Sequence, residues 1–97
     1  MGYTYHQDVR RQNKHLLADN GIFGENDIKP GMVFKMGDNG ILIIDTIQMV
    51  WRPSSKCKPI KRRQMVYTKI YKNGKRRQRA TQVSNLYNRV IKEVIIG

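Results

Sequence analysis

An apolar segment, Ile41–Trp51, lies between the turn-forming run Gly37-Asp38-Asn39-Gly40 and a stretch, Arg52 to Arg79, that holds twelve basic residues and no acid. That juxtaposition leaves few folds open. Asn and Gly accept positive φ cheaply, so residues 37–40 predict a tight reversal. Before it, Pro30-Gly31 introduces a short strand over Met32–Met36. After it, alternation predicts a long strand with Ile41, Ile43, Ile47, Met49 and Trp51 on one face and Leu42, Ile44 and Val50 on the other. Both faces begin apolar, as in a strand covered on two sides. Asp45 interrupts the first face. No second acid lies near it in sequence, so it reads as a bend or bulge and not as a catalytic acid. A strand of this length also favours a bend.

Residues 52–63 read as an extended basic loop, because Pro53, Ser54, Ser55 and Pro59 oppose regular structure. Gln64–Val83 reads as a β-hairpin around the two-residue turn Asn73-Gly74. That register would pair Lys72 with Lys75, Tyr71 with Arg76, Tyr67 with Ala80 and Val66 with Thr81. Met65, Tyr67 and Tyr71 would then share a face with Arg76 and Gln78, and Val66 and Ile70 a face with Arg77 and Arg79. Such a hairpin has an apolar base and a polar tip that projects into solvent.

The ends of the chain predict helices. Thr4 and Gln7 have capping-box spacing, and Asn20-Gly21 offers a left-handed stop, which gives a helix over 4–20. Its apolar stripe is thin: Tyr5, Val9, Leu16 and Leu17. It would pack on one edge of the domain or become ordered against a partner. Leu86, Tyr87, Val90, Ile91 and Val94 have helical spacing. Residues 84–97 are therefore expected as a short C-terminal helix or tail, with Val94-Ile95-Ile96 open to a closing strand. The expected whole is one α+β domain over residues 1–97. Its core is a small, strongly bent antiparallel sheet or open barrel of four or five strands over 32–83.

The charge distribution points to a partner. After Asp45 the chain carries fourteen Lys and Arg against one acid, Glu93, whereas residues 1–45 carry five bases and six acids. Like charges crowded together repel within the screening length, so an outside anion is the expected counterpart. A phosphate backbone supplies one. The expected contacts are Arg52, Lys56, Lys58, Lys61, Arg62, Arg63, Lys69, Lys72, Lys75, Arg76, Arg77 and Arg79, with Tyr71 as a stacking residue. The tetrapeptide Lys-Arg-Arg-Gln occurs at Lys61–Gln64 and again at Lys75–Gln78. Adjacent strands would bring both copies to one region. A solvated, aggregation-resistant edge accounts for several of the lysines. It does not account for the arginines, whose forks bind phosphate at two points. Tyr67, Tyr71 and Trp51 interleave with the cations and suggest stacking on unpaired bases, against the commoner role of strand aromatics in the core. The expected function is non-catalytic binding of DNA or RNA. Two alternatives are a basic module docking on an acidic protein or a ribonucleoprotein, and a small-barrel endoribonuclease using His15 or a hairpin arginine.

Other chemistries find little in the residues. His6 and His15 are off the spacing that places two ligands on one helix face, and Cys57 is the only cysteine, so no metal, cofactor or internal disulfide is expected. Lys56 and Lys58 flank Cys57 and would favour its thiolate, although a lone loop thiol is more often incidental than catalytic. No phosphate-binding glycine loop or nucleophile elbow is present. No apolar run reaches membrane length, and the N-terminus lacks a signal-peptide pattern, so a cytoplasmic monomer or homodimer is expected.

Pro30-Gly31-Met32-Val33-Phe34, followed by a glycine turn, a long bent strand, a basic loop, a hairpin and a short helix, resembles the small Src-homology-type and KOW-type β-barrels over residues 30–91. A KOW motif would place its glycine in a tighter loop than this chain does. The order also resembles compact barrels among phage and mobile-element proteins. The resemblance implies a small, strongly bent antiparallel sheet or open barrel of four or five strands.

Overall fold

The computed structural model describes residues 5–53 and 58–97. Helix α1 spans Tyr5–Asp19 and precedes five strands: β1 (Val33–Met36), β2 (Ile41–Arg52), β3 (Ile60–Ile70), β4 (Arg76–Gln82) and β5 (Ile91–Ile96). A 3-10 turn, Val83–Asn88, joins β4 to β5. All pairings are antiparallel, in the order β4-β3-β2-β1-β5, so β4 and β5 form the two edges of a sheet that does not close.

α1 ends where its glycine lies. Gly21 takes φ 80°, its amide donates to Ala18, and the Ile22 amide reaches back to the Leu17 carbonyl at 2.9 Å. This is a Schellman closure, and it sets Ile22 and Leu17 side by side in the core. The expected Thr4–Gln7 box at the other end involves Thr4, which lies outside the described residues. The buried side of α1 is Val9, Asn13 and Leu17. Asn13 is 2% exposed, and its amide fastens the helix to the end of the 3-10 turn and the chain after it. It donates to the carbonyls of Tyr87 and Arg89 and accepts from the Ile91 amide. Buried polar groups persist when satisfied in this way.

β2 carries the bulge expected at Asp45. The pairing runs Ile44↔Tyr67 and then Thr46↔Val66, which leaves Asp45 as the extra residue. Its carboxylate accepts from Thr68 Oγ1 at 2.6 Å and Gln78 Nε2 at 3.2 Å. The bulge corrects the expected faces. One inserted residue inverts the alternation, so Ile47, Met49 and Trp51 share a face with Leu42 and Ile44. Phe34, Leu42, Ile44, Met65 and Tyr67 pack beneath Leu17, Ile28, Val83, Leu86 and Tyr87.

Three further expectations are corrected. The C-terminal helix is replaced by the 3-10 turn and β5, which returns to pair with β1. The apolar positions that suggested a helical stripe divide between them: Leu86 and Tyr87 are buried from the turn, and Ile91 from the strand. The basic loop is shorter than 52–63, because Arg52 closes β2 and β3 begins at Ile60. The hairpin register is shifted by one, with Ile70↔Arg76, Tyr67↔Arg79 and Val66↔Ala80. The Tyr71 amide donates to Lys75, the Gly74 amide donates to Tyr71, and Gly74 takes φ 88°. The connection is therefore a three-residue loop with a left-handed glycine, not a two-residue turn. The slip moves Arg77 and Arg79 to the face of Met65 and Tyr67, and Arg76 and Gln78 to the face of Val66 and Ile70.

Candidate nucleic-acid interface

The cations occupy two places. The first is an arm. The pairs from Met49↔Arg63 to Arg52↔Ile60 run past the neighbouring strands, since β1 leaves β2 at Ile43 and β4 pairs with β3 only from Gln64 onward. This two-stranded ribbon is about 14 Å long at the usual strand rise. One face carries Met49, Trp51, Lys61 and Arg63, and the other carries Val50, Arg52, Ile60 and Arg62. Met49 is 51% and Trp51 63% exposed. The Lys61 ammonium sits over the indole, 5.4 Å from a ring centroid. Trp51, Lys58 and Pro59 line an open depression of about 460 Å³.

Not every cation of the arm is spare. Arg63 donates to the Ile28 carbonyl at 2.9 Å and to Asn26 Oδ1 at 3.4 Å, which moors the foot of the arm to the loop after α1. Arg52 donates to Gln64 Oε1 at 3.4 Å. Each leaves its Nε buried with no hydrogen-bond partner among the described residues. Lys58, Lys61 and Arg62 are exposed. Lys56 and Cys57 lie outside the described residues.

The second place is the β3–β4 hairpin. Lys72 lies in its loop and Lys75 just after it, and Arg76, Arg77 and Arg79 follow along the edge strand, all exposed. Arg77 and Arg79 stand opposite Lys69 and Tyr67. Lys69 is occupied: it binds Asp38 Oδ2 at 2.6 Å and lies 5.1 Å from the Tyr71 ring. That hydrogen bond, with a further one from the Gly40 amide, holds the Asp38 carboxyl below its ordinary value. Tyr71 is half-buried and Tyr67 is 2% exposed, so the expected stacking residue is partly used and its neighbour belongs to the core.

The two Lys-Arg-Arg-Gln copies do not converge. Lys61–Gln64 begins β3, while Lys75–Gln78 pairs with the end of that strand. Their centres lie roughly 24 Å apart along the strand at the usual rise per residue. Even so, Lys69–Asp38 is the one ion pair formed among the described residues.

Sequence reasoning missed two features. Arg89 donates to the Tyr67 hydroxyl at 2.8 Å, with its guanidinium 5.0 Å from that ring, and lines a cavity of about 440 Å³ with Lys69 and Asp38. Phe23 is 80% exposed beside Arg10 and Lys14. No local pattern marks either one. No three His, Cys, Asp or Glu side chains among the described residues are placed to hold a metal, and no described helix is long and apolar enough to cross a membrane. No protein-family model, curated protein or solved structure matches the chain.

Proposed function

We propose that this chain is a non-catalytic nucleic-acid-binding protein that grips phosphates with its arm and its β3–β4 hairpin. One observation carries the reading: Lys58, Lys61, Arg62, Lys72, Lys75, Arg76, Arg77 and Arg79 are exposed, and none has a carboxylate partner among the described residues. Uncompensated guanidinium and ammonium groups on a small domain are balanced at low cost by a polyanion, whose condensed counterions are released on binding. The two cationic places suit a flexible or curved strand crossing the sheet more than a single compact ligand. The strand order also supports reading the sheet as an opened barrel of the Src-homology type.

The test is binding as a function of salt. With about six phosphate contacts, log affinity falls against log salt with a slope near −5. A binding constant that hardly changes between low and moderate salt defeats the proposal. A docking module for an acidic protein predicts the opposite in co-purification, where nuclease treatment would leave the bound material in place.

A further inference from the structure

We infer that the arm selects unpaired bases: a nucleobase of single-stranded nucleic acid stacks on Trp51 while Lys58 and Lys61 hold the phosphates beside it. The inference rests on the nucleic-acid reading and narrows its ligand class. Of the four aromatics after Asp45, Tyr67 and Tyr87 are buried and Tyr71 is half-buried against the Lys69 ammonium. Trp51 alone is exposed. It lies outside the buried core cluster and stands beyond the last strand pairs that the core covers. An indole so placed contributes little to folding, because most of its apolar surface stays in water.

What surrounds it suits a base. Lys61 lies over the ring, and such a cation leaves the opposite ring face available to a flat partner. Among the described residues, the depression beside it is lined by the Pro59 ring and Lys58, which give it an apolar wall and a cation. Stacking on aromatics with flanking positive charge is the usual way of holding single strands, because every base has a π-face. A regular duplex keeps those faces covered by their neighbours. The phosphates of either form meet the hairpin cations equally well, so the arm and not the hairpin distinguishes them.

The chain has a single tryptophan, which makes the unmodified protein its own reporter. Its emission is followed while single-stranded ribo- and deoxyribo-oligonucleotides, a blunt duplex of the same length, and inorganic polyphosphate are added. Single strands of either sugar are expected to quench it; polyphosphate is expected to bind without quenching. Trp51→Ala should weaken single-strand binding about 5- to 100-fold, the range for loss of one base–aromatic stack, with polyphosphate binding unchanged. Trp51→Phe should restore most of the loss. Single strands that bind with unaltered emission, or that bind Trp51→Ala as tightly as the parent, overturn the inference and leave the phosphate reading intact. If neither oligonucleotides nor polyphosphate bind, both readings fall.

Discussion

The arm and the hairpin present positive charge in opposite ways. The hairpin base is packed: Met65 and Tyr67 face the core, and Val83 is buried just past the end of β4. Its exposed part has almost nothing apolar, so Arg76, Arg77 and Arg79 sit on an edge strand that is held from one side only. The arm has no such base. It is a two-stranded ribbon with exposed Met49, Trp51 and Ile60, tied to the body through the Arg63 guanidinium. Isolated two-stranded ribbons are marginal in water. The hairpin therefore offers charge on a firm edge, while the arm combines charge with apolar surface on a weakly held lever. Equal positive charge in the sequence has become two different kinds of surface, and packing beneath the charges makes the difference.

The largest effect that separates them should come from the triple variant Arg76→Ala, Arg77→Ala and Arg79→Ala. Losing three phosphate contacts weakens binding roughly 10²- to 10³-fold at 0.1 M salt and brings the salt slope closer to zero by about 3. Single and double strands should suffer alike, and thermal unfolding should hardly move, since exposed substitutions of this kind usually stay within about 0.5 kcal/mol. A variant that unfolds would show that the arginines serve the fold. Arg63→Ala should act next, and differently. It strips the Ile28 carbonyl of a charge-assisted donor and costs about 1–3 kcal/mol of stability. Hydrogen exchange should then quicken over Met49–Arg52 and Ile60–Arg63 but not along β4. Uniform protection of both regions in the parent protein would erase the contrast between lever and edge.

The smallest effect should be at Asp38. Its folded-state carboxyl is held low by Lys69. The pair therefore stabilises fully above the ordinary value of 3.8 and ceases to do so as pH falls through the lower folded value. Asp38 is 53% exposed, so the contribution should be under about 1 kcal/mol. Unfolding curves of the parent and Asp38→Asn should differ slightly near neutrality and merge in acid. A difference that grows in acid contradicts the assignment.

Local chemistry made part of this architecture legible. Gly21 ended α1 because a left-handed residue costs glycine little, and Asp45 announced a bulge because a carboxylate broke an apolar run. The bulge inverts the alternation of every residue after it, which puts Trp51 on the face opposite to the one simple alternation predicts. At Asn73-Gly74 the place of the reversal was readable and its length was not. The same dipeptide closes either a two- or a three-residue loop, and only strand twist decides between them. Near Leu86 the apolar spacing fitted a helix, yet Val90, Ile91, Val94, Ile95 and Ile96 are the branched residues that strands favour. Asn13 was opaque, since a lone amide between Val9 and Leu17 reads as a gap in a stripe. At the interface, composition located the cations but not which are spare. Arg63 meets Ile28 across 35 positions and Lys69 meets Asp38 across 31, and distant partners of that kind leave no local trace.

The length over which β2 and β3 pair only with each other also limits how such a molecule could change over generations. Side chains alternate, so growth or loss of one residue in each strand would turn the indole at the end toward the opposite side. The lever can be lengthened or trimmed by pairs without altering what it offers, and a single-residue change is harmless only where a second bulge restores the phase.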